Sequence, residues 1–158
     1  MENNYMEKFK TKIGKVELDS CIWNASGVNC RTVPELVELD KCPETAVVLT
    51  KSCTYNYRTG NPQPRYYENS PMSFTINSSG LPNIGYKEYS KRAESINKPY
   101  FMSVAGLKKE TNVKMIDELS RNPHIAGIEL NLSCPNIVGK PQIGYDFEAM
   151  DNLLKEVK

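Results

Sequence analysis

Four short apolar runs punctuate the chain, at Cys21–Ala25, Ala46–Thr50, Tyr100–Val104 and Ile125–Leu132. Each has the length of a strand and is bounded by turn-forming residues, which predicts four strands. In the last run Ile128, Leu130 and Leu132 alternate with Glu129, Asn131 and Ser133, so one face is apolar and the other polar. Pro135 ends that strand, because it has no N–H to give to a ladder. Helical signals lie between and after the runs. Thr32-Val33-Pro34-Glu35 has the spacing of a capping box, with proline tolerated in the first turn, and Leu36, Val37 and Leu39 follow. Val113, Ile116 and Leu119 share one helical face with Met115 beside them, and Phe147, Met150, Leu154 and Val157 form a second amphipathic stripe. Ahead of all these, Phe9–Leu18 with Gly14 at its middle predicts a small hairpin.

Alternating strands and helices predict an α/β fold with a parallel sheet and crossover helices. Four such units make the first half of an eight-unit (β/α)8 TIM barrel, an architecture of about 250 residues. A four-unit open sheet is the competing arrangement. The polar inward face of the fourth strand favours the barrel, whose strands converge on one mouth. On this reading residues 1–158 are the N-terminal half of a single barrel domain, with no second domain. The connection Cys53–Gly85 is far longer than the about 4–6 residues usual in compact domains, and connections of that size tend to be functional. Within it Ser73–Asn77 alternates like a short strand, and Ser78–Asn83 breaks into a turn whose Gly80 can bring backbone close to a ligand. This loop reads as a lid or substrate wall; a wandering surface loop is the plainer alternative.

Composition narrows the function classes. With 20 basic and 19 acidic residues the net charge is +1, and no basic run would track a nucleic-acid backbone. The N-terminus, Met1–Lys12, is polar, and no apolar run approaches the ~20 residues of a membrane helix, so the expected location is the cytoplasm. Five cysteines without a Cys-x-x-Cys pair argue against a disulfide framework and a zinc site, and no metal is expected. The single His124 has no second histidine with which to bind one.

In a barrel, the residues closing each strand meet at one mouth. The first run ends in Asn24-Ala25-Ser26-Gly27, suited to the edge of a flat ring system, and the second in Thr50-Lys51-Ser52. The third offers Ser103 and Gly106, and the fourth Asn131, Ser133 and Cys134. Each has a plainer reading alone. Lys51 could be a solvated charge, Cys134 a small core residue, and Ser26 and Ser103 partners for nearby backbone. Placement together at four strand ends is what gives them weight.

Several longer segments then resemble one family closely. Asn24–Val28, Thr50–Thr54, Arg58–Tyr66, Gly80–Asn83, Glu129–Asn136, Gly139–Gln142 and Gly144–Phe147 are similar, in order, to the N-terminal half of class 1A, fumarate-dependent dihydroorotate dehydrogenase, an FMN enzyme with a (β/α)8 barrel. The resemblance implies oxidation of dihydroorotate to orotate in pyrimidine synthesis, with fumarate reoxidising the flavin, by a homodimer when full length. It makes Cys134 the base that removes the proton from C5 of the substrate while hydride leaves C6. A thiol suits that task, since its reference pKa of about 8.5 lies near working pH. Lys51 would meet the anionic substrate beside the flavin, and Asn131 would bridge substrate and flavin. Asn77, Ser78, Ser79, Gly80, Leu81 and Asn136 would line the orotate pocket, and Ala25, Ser26, Ser52 and Ser103 would contact FMN.

Two departures accompany the resemblance. The family usually has Asn-Ser-Met-Gly-Leu where this chain has Asn77-Ser78-Ser79-Gly80-Leu81, which removes a flexible apolar side chain from the pocket wall. The family's later strands also supply a second lysine at the flavin and a phosphate site, neither of which is in these residues, so the chain alone is expected to be inactive. The lack of a membrane-targeting extension speaks against a quinone-linked form. Other readings stay open from the sequence: another FMN barrel with a mouth cysteine, such as a dihydropyrimidine dehydrogenase domain or a tRNA-dihydrouridine synthase, or a truncated remnant acting as an interaction module.

Overall fold

A computed structural model of the chain describes residues 9–137, 139 and 142–158. Most of the polar N-terminal stretch (1–8), and Lys140 and Pro141 of the Gly139–Gln142 motif, lie outside the described residues. The expected hairpin is present: Thr11–Ile13 (β1) pairs antiparallel with Val16–Leu18 (β2), turned by Gly14 at φ +59°. Helix α1 (Val33–Lys41) starts as its sequence dictates, with the Glu35 carboxylate accepting from the backbone N–H of Thr32 (2.7 Å) and of Arg31 (2.8 Å).

The sheet is parallel and three-stranded among the described residues. Val48–Leu49 (β3) pairs with Tyr100–Val104 (β6), which pairs with Gly127–Leu130 (β7). A second two-stranded hairpin, Tyr66–Asn69 (β4) with Phe74–Asn77 (β5), rises from the long connection and is mostly exposed. A short helix, α2 (Tyr86–Ser90), then leads back to β6. Helix α3 (Lys109–Ser120) joins β6 to β7, and α4 (Phe147–Val157) closes the described chain, its first turn capped by the Asp146 carboxylate accepting from Ala149 N at 3.0 Å.

The first expected strand is corrected by the structure. Cys21–Ala25 lies along β3 but is not a strand, because its ladder is largely replaced by one side chain. Ala46 donates its N–H to Ile22 O at 2.9 Å. Beyond that, the Asn24 carboxamide donates to Leu49 O (2.7 Å) and accepts from Leu49 N (3.0 Å), so it occupies the place of a neighbouring peptide group. The sheet therefore has three strands where four were expected, with an extended segment clipped to its edge.

Strand alternation divides the interior into two layers. One face carries Val48, Tyr100, Met102, Val104, Ile128 and Leu130 against Met115 and Leu119 of α3 and the buried Tyr86 and Tyr89. The other carries Val47, Leu49 and Phe101 against Leu18 and Trp23. On this second face the character changes along the strands. Leu49, Phe101 and Gly127 are in register at the apolar end, where a Cβ on Gly127 would lie 2.9 Å from the Phe101 ring, so only glycine leaves room for it. One step on, Ser103 and Glu129 are in register and polar. Beyond the free edge of β7, Ile128, Leu130, Leu154 and Val157 line an apolar groove of about 410 Å³. No described helix is long and apolar enough to cross a membrane.

Candidate functional site

The carboxyl ends of the parallel strands carry a connected polar floor. Glu129 Oε1 accepts from Ser103 Oγ (2.7 Å), Ser103 and Ser52 hydroxyls share a hydrogen bond (2.9 Å), and Asn131 Nδ2 donates to Ser52 Oγ (3.0 Å). Ser26 Oγ lies 3.3 Å from Ser52 Oγ and joins the same network. Ser52 and Ser103 are buried, and the network satisfies each hydroxyl there. The Asn131 Oδ1 accepts from Ser133 N (3.0 Å), which turns the chain and sets Cys134 at the mouth.

Lys51 stands beside this floor, half-buried, with its Nζ donating to Ser26 O at 2.8 Å. Burial pulls its ammonium below the ordinary lysine range, and neighbouring Cys30, Cys134 and Glu129 draw it partway back. Cys30, directly behind, is held as a thiol by burial, which pushes it up to about 11 against the pull of Lys51. A cation whose hydration is already reduced interacts more strongly with an arriving anion than an exposed one does.

A cavity of about 370 Å³ opens above Lys51 and Cys134. Asn77, Ser79, Gly80, Leu81 and Asn136 complete the part of its lining that sequence reasoning named. Asn136 Nδ2 donates to Asn77 Oδ1 at 3.3 Å, which places two carboxamides side by side on the wall. Cys134 and Leu81 also border a smaller space of about 260 Å³, lined by Asn131, Ala105 and Ile137, so the thiol stands in the partition between two cavities. Its neighbours there, Leu81, Ala105, Leu107 and Ile137, are apolar.

The wall opposite Cys134 is built by the long connection. Gly80 (φ +68°) and Leu81 (φ +56°) are both left-handed, and this double turn folds Leu81 inward until it is 4% exposed. Buried Asn83 braces the turn: its Oδ1 accepts from Thr54 N (3.1 Å) and Gly85 N (2.9 Å), and its Nδ2 donates to Leu81 O (2.8 Å). Arg58 Nε donates to Gly80 O at 2.6 Å. Asn61 fastens this wall to the cysteine loop, its Nδ2 donating to both Ser78 O and Asn136 O at 2.9 Å. Gly80 is pressed against that carboxamide, since an added Cβ would lie 2.3 Å from Asn61 Oδ1.

Not every expected residue reaches the cavity. Ser78 does not line it and is held through its backbone carbonyl; Ala25 is exposed, and Ser26, Ser52, Ser103 and Asn131 belong to the floor beside it. Conversely Arg31, Glu35 and Arg65 line the cavity and were given no place at the site from sequence. They arrive from the α1 entrance and the long loop, where no periodicity points at a site. Arg65 did lie within a matching segment, and that was the one available signal.

A flavin ring needs donors and acceptors along one edge and a cation near its polar end. The Asn131 carboxamide, the Ser52 hydroxyl, the backbone at Ala25–Ser26 and the Lys51 ammonium form such a set at the strand ends, so these residues fit the ring of FMN.

The sequence pattern of the family described as Dihydroorotate dehydrogenase matches residues 8–158. The chain is 42% identical over 154 residues to "Dihydroorotate dehydrogenase A (fumarate)" of Lactococcus lactis, covering 94% of this chain and 49% of that protein. It is 41% identical over 157 residues to "Probable dihydroorotate dehydrogenase A (fumarate)" of Streptococcus pneumoniae, covering 96% and 50%. The chain thus spans about half the length of the curated relatives it matches. A crystal structure of DHODH from Eimeria tenella in complex with ferulenol superposes with a TM-score of 0.63 over 96% of this chain and 45% of that one, at 15% identity, a likeness of fold.

Proposed function

The chain belongs to the dihydroorotate dehydrogenase family, and from that premise we propose that it provides the substrate-facing half of an FMN-dependent oxidation of dihydroorotate to orotate in pyrimidine synthesis. The observation that carries the reading is the shared cavity: Lys51, Cys134, Asn77 and Asn136 converge on one space of about 370 Å³.

The roles follow from the chemistry of each group. Lys51 binds the substrate carboxylate, its attraction strengthened by partial burial. The Asn77 and Asn136 carboxamides pair with the planar ring's amide edge, each offering both a donor and an acceptor. Cys134, as thiolate, takes the C5 proton, while the apolar Leu81 side of the partition keeps water from competing. Bound FMN would supply the two-electron acceptor. Ala25, Ser26, Ser52, Ser103 and Asn131 would hold its ring edge, and Ser79 and Gly80 shape the far wall through the backbone.

The same reading makes the fold the first four units of a (β/α)8 barrel within one domain over residues 1–158, working as a cytoplasmic homodimer with fumarate as acceptor. The apolar groove at the β7 edge supports it, because a following strand–helix unit would cover Ile128, Leu130, Leu154 and Val157 there. The test is single-turnover reduction of bound flavin by dihydroorotate in the full-length protein. Cys134→Ser should slow it by roughly 10²–10⁴-fold. An unchanged rate would assign the proton transfer to another group, and faster reduction by dihydrouracil than by dihydroorotate would move the enzyme to a different pyrimidine substrate.

A further inference from the structure

A second concavity lies on the outer side of the long connection, separate from Lys51 and Cys134, with a volume of about 650 Å³. Three arginines, Arg31, Arg58 and Arg65, line it together with Tyr57, Thr59 and Gln63, and among the described residues no aspartate or glutamate does. We infer that this is an anion-binding site for a compact oxyanion carrying two negative charges, a phosphate or a dicarboxylate.

The hydrogen-bond inventory supports the assignment. A guanidinium has five N–H donors. Arg58 uses its Nε on Gly80 O, and Arg65 uses one terminal nitrogen on the carbonyls of Thr59 and Asn61, so both are fixed in place with donors to spare. None of the three arginines makes an ion pair among the described residues. Glu35, beside Arg31, is engaged by the backbone N–H groups of Arg31 and Thr32, and against burial those hydrogen bonds together with the charge of Arg31 hold its carboxyl below the usual range. One carboxylate against three arginines leaves net positive charge around this concavity. Planar forks of this kind match the geometry of phosphate and carboxylate oxygens.

The site does not depend on the proposed reaction, since neither Lys51 nor Cys134 lines it. Arg31 and Arg65 do border both cavities, so an experiment must tell the two apart. Isothermal titration of the full chain with inorganic phosphate, and separately with succinate, at fixed ionic strength does so. Saturable one-to-one binding that weakens with added salt is expected, and whichever probe binds more tightly identifies the oxyanion. Arg31→Gln should weaken it about tenfold, the loss of one charge-assisted contact. As a second variant, Gln63→Glu keeps the side-chain oxygen that accepts from Arg65 N (3.2 Å) while adding a negative charge, and should abolish binding. Lys51→Gln should leave it unchanged. No saturable binding of either probe, or binding removed by Lys51→Gln and spared by Arg31→Gln, overturns the inference.

Discussion

Replacing Gly80 by alanine tests how the cavity wall is held. An alanine held at the Gly80 φ of +68° costs about 1–2 kcal/mol, because its Cβ crowds the following carbonyl. The new Cβ would also meet Asn61 Oδ1 at 2.3 Å and Nδ2 at 2.8 Å, so the carboxamide must swing away. Doing so releases its bonds to Ser78 O and Asn136 O, each worth about 0.5–1.5 kcal/mol net. The total loss is about 2–5 kcal/mol, read as a fall in the urea midpoint at unchanged slope. Asn61→Ala alone should cost about 1–3 kcal/mol, the two hydrogen bonds. In that background Gly80→Ala has nothing left to displace and should cost only the backbone part, about 1–2 kcal/mol. The double variant is therefore more stable than the sum of the singles implies, by about 1–3 kcal/mol. Additivity within about 0.5 kcal/mol, the behaviour of independent sites, would refute the idea that Asn61 and Gly80 form one clasp.

Other outcomes follow from single contacts. Asn24→Ala leaves the N–H and carbonyl of Leu49 without the partners seen at 3.0 and 2.7 Å and should destabilise the chain by about 1–3 kcal/mol in chemical denaturation. Gly127→Ala forces a methyl against the Phe101 ring and should cost about 1–3 kcal/mol, most of it recovered by adding Phe101→Leu. Cys30 keeps its proton in the native state up to about 11, whereas the unfolded thiol releases it near the ordinary 9.0. The native state then holds more protons across that window, so Cys30 contributes stability below pH 9 that is lost as pH rises through about 11. Urea midpoints measured from pH 8.5 to 11 should fall less steeply in Cys30→Ala than in the unmodified chain, and parallel slopes would contradict the burial of this thiol.

The sequence exposed those parts of the molecule in which side-chain pattern and backbone role coincide. Tyr100–Val104 is buried along its whole length, and an apolar run broken only by Ser103 sufficed to bound it. Glu35, three residues after Thr32, marked the start of α1 for the same local reason. Cys21–Ala25 misled because its apolar residues predict a strand, while the ladder beside it is completed by an amide side chain. The strand Tyr66–Asn69 escaped notice because Tyr-Tyr-Glu-Asn neither alternates nor is buried, with Tyr66 at 59%, whereas its equally exposed partner Phe74–Asn77 was marked by alternation. Lys51, Cys134 and Asn131 were legible as closers of apolar runs. Arg31 and Arg65 were not, since their place on the cavity depends on how two loops fold back, and spacing along the chain carries no record of that.

The Asn24 carboxamide has one more effect. A ladder made of peptide groups repeats every two residues, so a strand can slide by that step and find equivalent partners. An amide side chain at a single position offers no such repeat, and the segment has only one berth. Two residues further on, Ser26 presents the carbonyl that receives Lys51. The ammonium is thereby indexed to the sheet by a component that cannot shift by a notch, which secures its alignment with the thiol across the cavity more tightly than an ordinary edge strand could.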